Sequence, residues 1–162
     1  WLWAEHEGLA TPAQMAQSVY DQIPAGDPFW SLRIGDPGVA QLFDGAVYIR
    51  GAMALQALRA EVGDQDFWRI IRTWAESRSG GTGTTPQLIA LAERVSGHDL
   101  APLFDAWLYT GAKPAAAGAA TAASWAAGAT FGTSATSAHG AAYARQWLAA
   151  LQRQAGLAQR GR

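Results

Sequence analysis

The amino-acid sequence predicts an all-α protein built as a bundle of short helices. Apolar residues recur at a spacing of three or four through most of residues 1–114, and no segment shows the period of two that is typical of a half-buried strand. A hydrophobic fraction of 49% and eight Trp residues supply ample apolar surface for a packed core. We therefore expect one helical domain of ordinary size.

Most predicted helices begin or end at a recognisable signal. Thr11-Pro12 is an N-cap followed by a first-turn proline, and Thr85-Pro86 repeats the pair. Gly8, Gly63 and Gly97 each follow an apolar stretch, where a left-handed residue ends a helix. The predicted helices cover residues 1–7, 12–23, 46–62, 64–78, 86–96 and 100–109.

One segment between two predicted helices, and the predicted helix over 46–62, carry apolar residues that need packing partners. Residues 25–38, here called the aromatic loop, contain two Asp-Pro steps that oppose helix formation, and their bulky side chains must pack on the body or line a cleft. Those side chains are Phe29, Trp30, Leu32 and Ile34. The helix over 46–62 is expected to bury one stripe, formed by Val47, Met53, Leu55, Leu58 and Val62.

The composition changes sharply after Pro114. Residues 115–140 are rich in Ala, Gly, Ser and Thr and are interpreted as a linker. Residues 141–162 predict an amphipathic helix, with Tyr143, Trp147 and Leu151 at a spacing of four. The chain begins at Trp1, inside a helical pattern and without an initiator Met, which is typical of a piece of a longer protein.

Charge and composition exclude several partners. The net charge is −1, from 12 basic and 13 acidic residues without a long run of one sign, so neither nucleic acid nor an anionic membrane is an expected partner. No apolar run approaches the roughly 20 residues of a membrane span. The absence of Cys excludes disulfides and thiolate ligands and leaves the compartment open.

No complete metal or cofactor site is written in the sequence. His6, His98 and His139 do not form the His-Glu-x-x-His pattern that places two imidazoles on one helical face around zinc. Glu5, His6 and Glu7 are adjacent, but neighbouring helical side chains point about 100° apart and do not chelate one ion together. Nucleophile elbows, phosphate loops and cysteine nucleophiles are also absent.

Tyr48 is the candidate catalytic residue, although the residues alone do not single it out. It stands near the start of the helix predicted over 46–62. A tyrosine in that place is ordinarily a core or rim aromatic whose hydroxyl bonds a nearby group.

Five segments in order resemble M1 family zinc aminopeptidases of the gluzincin type. Residues 1–8 (Trp-Leu-Trp-Ala-Glu-His-Glu-Gly) resemble the segment after the Asn-Glu-Gly-Phe-Ala motif, and residues 47–52 (Val-Tyr-Ile-Arg-Gly-Ala) resemble Val-Tyr-x-Lys/Arg-Gly-Ala. Residues 64–68 resemble a Gly-x-x-x-Phe step, and residues 84–86 a Thr-Thr helix start. Residues 104–114 resemble the closing Trp-Leu-Tyr-x-Pro-Gly-x-Pro but lack the proline before Gly111. The likeness ends at Pro114.

This resemblance implies that residues 1–114 correspond to the C-terminal helical subdomain of a thermolysin-like catalytic domain. It makes Tyr48 the transition-state tyrosine, whose hydroxyl donates to the oxyanion, and Gly51-Ala52 a pair that lets the helix pack closely. Zinc and its ligands belong to the upstream half, so this chain alone is expected to be inactive, with peptides as substrates of the parent enzyme. Likeness to secreted members favours secretion.

Two alternatives stay open. In the first, the chain is a non-enzymatic interaction module, with the aromatic loop and the tail helix as its partner surface and Tyr48 structural. A lost catalytic half predicts an exposed apolar face on the helix at residues 1–7 and self-association through it, whereas a module should hide that face. In the second, Glu5, His6 and Glu7 form a metal site of their own.

Overall fold

The protein is seen in a computed structural model that describes residues 1–114, 142, 145–146 and 149–150. All regular structure in this part is helical and contains no strand, which confirms the predicted all-α bundle. The helices are α1 (Leu2–His6), α2 (Pro12–Gln22), α3 (Gly45–Ser77), α4 (Thr85–Ser96) and α5 (Ala101–Phe104). Among them, none combines the length and apolar character needed to cross a membrane. The predicted linker and most of the predicted tail helix lie outside the described residues.

Helix α2 begins and buries its face as predicted. The Thr11 hydroxyl accepts a hydrogen bond from the Gln14 amide at 3.2 Å, and the Gln14 side chain accepts one from the Thr11 amide at 2.9 Å. Met15 and Val19 are fully buried, with Ala4 and Ala10 beside Met15. These contacts dock the short α1 helix on α2.

Helix α3 runs through the centre of the bundle and bends at Gly63. There φ is 77° and ψ is 165°, so the two helices predicted over 46–62 and 64–78 form two arms joined at this glycine. Met53, Leu58 and Ile70 are buried along the inner side. Leu55 was predicted in the same stripe, but it is 38% exposed because it lies two helical turns after Tyr48, on the outer side.

The last part of the fold closes the bundle. Helix α4 packs on α3, and its Ala92 belongs to the main core, with Leu88, Ile89 and Val95 packed against that core. Helix α5 continues into a wider π turn, Asp105–Tyr109, in which the Thr110 amide donates to the Asp105 carbonyl at 2.9 Å. The predicted helix over 100–109 is therefore present, with a change of winding that the periodicity did not predict.

Residues 113 and 114 fasten the chain to the end of α2. The Lys113 ammonium donates to the carbonyls of Tyr20 at 2.7 Å and Ile23 at 2.9 Å. At this helix end the Tyr20 carbonyl has no amide four residues on, because Pro24 lacks one, and otherwise accepts only a longer bond from the Ile23 amide at 3.4 Å. The Tyr20 hydroxyl donates to the Pro114 carbonyl at 2.7 Å. We call this set of bonds the terminal clasp.

Two glycines of α3 should respond in opposite directions to alanine. Gly63 occupies a backbone region that is essentially reserved for glycine, so Gly63→Ala should cost about 1–3 kcal/mol of unfolding free energy. Gly51 is helical, and a Cβ there would meet nothing within 4 Å, so Gly51→Ala should gain about 0.5–1 kcal/mol. Urea denaturation of the two variants measures both changes, and equal signs would contradict the assignment of the bend.

The terminal clasp predicts where the domain can be cut. A chain ending at Pro114 keeps Lys113 and the Pro114 carbonyl, and its Tm should stay within a few degrees of that of the 162-residue chain. A chain ending at Thr110 loses these partners together with the Ala112 carbonyl, which accepts from Arg50, so its Tm should be lower by roughly 5–10 °C. Thermal unfolding followed by circular dichroism tests this. Equal Tm values for the two truncations would contradict it.

Candidate active site

Tyr48 lies in the first turn of α3 with its ring on the outside of the bundle. Asp44 caps this helix, because its carboxylate accepts from the Ala46 amide at 2.8 Å. Ala46 and Ile49 on either side are buried, whereas Tyr48 is 58% exposed. Among the described residues its hydroxyl has no hydrogen-bond partner, which differs from the rim aromatic with a bonded hydroxyl that its position alone predicts.

Solvent-exposed apolar side chains precede and follow Tyr48 in the sequence. Phe43, two residues before the helix, is 84% exposed, and Val39 and Leu42 just before it are also exposed. Gly51 and Leu55 follow Tyr48 at spacings of three and seven, on one side of α3. We call this side, from Tyr48 through Gly51 to Leu55, the open face.

The open face continues toward α1. Arg59, one turn beyond Leu55, contacts Glu5 of α1 at 3.4 Å and Asp64 at 2.7 and 3.0 Å. Helix α1 exposes Leu2 and Trp3, the latter to 68%. The exposed apolar face expected for α1 is therefore present.

Behind Tyr48, on the opposite side of α3, Arg50 is fully buried. Its guanidinium donates to five backbone carbonyls. Two belong to the aromatic loop, Trp30 at 2.9 Å and Leu32 at 3.1 Å. Three belong to the closing segment, residues 105–114: Ala106 at 3.1 Å, Thr110 at 2.6 Å and Ala112 at 3.3 Å.

No carboxylate balances the Arg50 charge within the described part of the chain. The carbonyl dipoles and the Trp30 ring, whose centroid is 5.6 Å from the guanidinium carbon, provide its electrostatic support. Burial lowers the pKa of Arg50, although a guanidinium remains charged in proteins. Its Nε atom has no partner among these residues. Such a group stabilises only while its acceptors stay in place.

The aromatic loop packs on the body of the protein. Trp30 and Ile34 are buried, and Phe29 and Leu32 are half-buried. The Gly35 amide donates to the Leu108 carbonyl at 2.9 Å, and a Cβ on Gly35 would overlap the Tyr109 ring. The loop therefore supports the start of α3, and its largest side chain, Trp30, is not available as a partner surface.

The close packing expected at the Gly51-Ala52 pair is not seen at Gly51 within the described residues. Gly51 was expected to let its helix pack closely, yet nothing lies within 4 Å of where its Cβ would stand. The reason is that Gly51 is on the open face, away from the core formed by Met53 and its neighbours. Any close approach at Gly51 must come from a group outside the described chain.

The residues present do not fit a zinc ion. No group of three or more His, Asp, Glu or Cys side chains within the described residues is arranged to hold a metal. Glu5 turns to Arg59, and the His6 ring lies 5.6 Å from that of Trp3. His98 stands in an exposed turn, 3.5 Å from Glu61. His139 lies outside the described residues.

Arg50 is the residue that sequence reasoning missed. In the sequence, Arg50 enters only as one residue of the 47–52 motif. A signal did exist: Arg50 falls between Ala46 and Ala54 on the buried side of the helix, a position where an unpaired cation is rarely placed. A charged residue in the apolar stripe indicates a polar anchor.

Comparison with known proteins gives one informative likeness. Over 90 residues, or 56% of this chain, the sequence is 31% identical to Aminopeptidase N of Streptomyces lividans. The chain spans about a tenth of that relative's length (10%). No protein-family model matches the chain, and no solved structure matches it. The similarity indicates an aminopeptidase-related region.

The ion pair that joins the bend of α3 should be pH dependent. Hydrogen bonds from Arg59 hold the pKa of Asp64 below its ordinary value of about 3.9. An acid whose pKa is lower in the folded than in the unfolded state stabilises the fold at pH values above its unfolded pKa. This stabilisation is lost as the pH falls through the folded pKa. Because Asp64 is largely exposed, Asp64→Asn should cost about 0.5–1 kcal/mol at pH 7, and this cost should fade as the pH falls below the ordinary aspartate pKa of about 3.9.

Thermal unfolding of the Asp64→Asn variant at pH 7 and pH 3 measures this dependence. Asp36→Asn is the matched control, since it removes the same charge at an acid that forms no ion pair within the described residues. A Tm difference for Asp64→Asn that is as large at pH 3 as at pH 7 would contradict the assignment.

Proposed function

We propose that this chain is the C-terminal helical part of an M1-type zinc aminopeptidase and that Tyr48 supplies a hydrogen-bond donor to the reacting carbonyl. The observation that carries the proposal is the state of Tyr48. It stands on a firmly held helix start, yet its ring is exposed and its hydroxyl is unengaged by the described residues. A tyrosine that served only the fold would bury its ring against the core and bond its hydroxyl to a nearby protein group, and within the described residues Tyr48 does neither.

The chemistry asked of Tyr48 is electrostatic. When a peptide carbonyl is attacked, negative charge develops on its oxygen, and a donor that is already in place stabilises that charge without reorganisation. The Tyr48 hydroxyl can donate one such bond. Its pairing with this transient oxygen would be stronger than with the neutral substrate carbonyl, which is the condition for accelerating the reaction.

The exposed apolar residues support a missing neighbour. Leu2 and Trp3 on α1, and Phe43 and Leu55 around Tyr48, are left in water in this chain. An interaction module that acts through the aromatic loop would expose that loop, but Trp30 and Ile34 are buried in it. The arrangement therefore favours a chain whose α1 and α3 faces are covered by the upstream part of a peptidase.

Zinc belongs to that upstream part in this proposal. The described residues offer no set of ligands for it, so the chain alone should bind no catalytic zinc and show no peptidase activity. Peptides with a free N-terminus are the proposed substrates of the whole enzyme, in keeping with the likeness to Aminopeptidase N. Exposed apolar area on α1 and α3 should also make the separate chain prone to self-association.

The decisive substitution is Tyr48→Phe in a protein extended upstream of Trp1. Loss of one preorganised donor should lower kcat by about 10²–10³-fold, with little change in KM or Tm. Hydrolysis of an aminoacyl fluorogenic substrate measures this. Tyr20→Phe is the matched control, because it removes a hydroxyl that bonds the Pro114 carbonyl and should lower Tm while leaving kcat near that of the parent.

Near-parental turnover of the Tyr48→Phe protein would overturn the catalytic role. Activity of the 162-residue chain alone would overturn the assignment of zinc to the upstream part.

A further inference from the structure

We infer that Arg50 is a positioning residue for Tyr48, setting the rotation of α3 about its axis through its bonds to the aromatic loop and the closing segment. The inference rests on the proposed function of Tyr48. It concerns a residue other than Tyr48 itself, because the Arg50 guanidinium lies in the core, on the opposite side of α3 from the Tyr48 ring.

The first step is that no hydrogen bond within the described residues holds the Tyr48 side chain on the outer side of α3. Its hydroxyl has no hydrogen-bond partner in the described residues, and the neighbouring Gly51 meets no atom within 4 Å of its Cβ position. The position of the Tyr48 ring is therefore inherited from the helix backbone. Whatever sets the orientation of the first two turns of α3 also sets the Tyr48 hydroxyl.

The second step concerns what sets that orientation. Ala46, Ile49 and Met53 bury this part of α3, but apolar contact has no direction and tolerates a small rotation. Hydrogen bonds weaken steeply with misalignment. The planar guanidinium of Arg50 bonds two separate segments at once, and four of its five bonds are at or below 3.1 Å, those to Trp30, Leu32, Ala106 and Thr110. A rotation of α3 would strain bonds to both segments.

The third step is the sensitivity of the Tyr48 hydroxyl to rotation. A tyrosine hydroxyl stands on the order of 8 Å from the helix axis, so a turn of about 10° moves it by roughly 1.4 Å. A displacement of about 1 Å at a catalytic group is enough to cost ~10²-fold in rate. The small rotations that the Arg50 hydrogen bonds resist are therefore large enough to move the Tyr48 hydroxyl out of place as an oxyanion donor.

A guanidinium is better suited than an ammonium to hold two backbone segments in a fixed orientation. Arginine presents five N–H donors in a fixed plane, whereas a lysine ammonium presents three donors on a flexible stem. Arg50→Lys keeps the charge and part of the bonding but cannot hold both segments with one rigid plane. Arg50→Gln removes the charge and shortens the side chain, so it should release both.

A distance measurement tests the inference without any metal or activity. The chain contains no Cys, so two introduced cysteines can be spin-labelled cleanly. Tyr48→Cys reports the open face, and Ala90→Cys reports the exposed side of α4, which does not contact the guanidinium. In this background, Arg50→Lys should shift or broaden the distance distribution by about 1–2 Å, and Arg50→Gln should do so more strongly.

Leu58→Ala is the control for general loss of stability. Leu58 is fully buried in α3, two turns beyond Arg50, and its truncation should lower Tm without altering the distance. An unchanged distribution in a folded Arg50→Lys chain overturns the inference. Failure of Arg50→Lys to fold also overturns it, because Arg50 would then serve folding as a whole.

Turnover in the upstream-extended protein separates this inference from the proposed function. Arg50→Lys should lower kcat about 10²-fold with KM unchanged, while Leu58→Ala should leave both near the parent values. If Tyr48→Phe keeps its activity while the Arg50 variants shift the distance, the proposed function fails and the geometric link stands. If Tyr48→Phe is inactive and the Arg50 variants alter neither kcat nor distance, the inference fails alone.

Discussion

The guanidinium of Arg50 is the interaction on which the rest of the structure depends. The aromatic loop has little regular structure and the closing segment ends in a π turn, so both leave backbone carbonyls without helical partners. Five of these carbonyls meet at one buried cation. Desolvating the cation is costly, and the cost is offset only by having all of these acceptors close together. The loop, the helix and the closing segment therefore hold one another in place.

This arrangement gives α3 two sides with different properties. The inner side is dense, with Arg50, Met53 and Leu58 fully buried. The outer side carries Tyr48 and Leu55 and is open in the described chain. A reactive group benefits from this contrast, since its own side chain stays free to meet a substrate while its backbone is held from behind.

The sequence predicts those parts of the fold that are governed by local chemistry. Thr11 forms a capping box at the predicted position, and Gly63 and Gly97 take positive φ angles at the predicted helix boundaries, because caps and φ preferences act within a few residues. The cap of α4 is Thr84, one residue before the predicted Thr85. The acceptors of Arg50 lie 18 to 62 residues away from it in the chain, and periodicity carries no information on them. Tyr48 was found through resemblance, and the comparison supports only the coarser aminopeptidase relationship.

The terminal clasp has a mechanical consequence. A pull on the tail from residue 115 onward reaches the domain first at Pro114 and Lys113, which are tied to Tyr20 and Ile23 at the end of α2. The load passes into α2 and its aromatic neighbours Trp30 and Trp107 before it can reach the bond between Ala112 and Arg50. Tension on the tail is therefore carried first by the terminal clasp and α2, before it reaches α3, the helix that carries Tyr48.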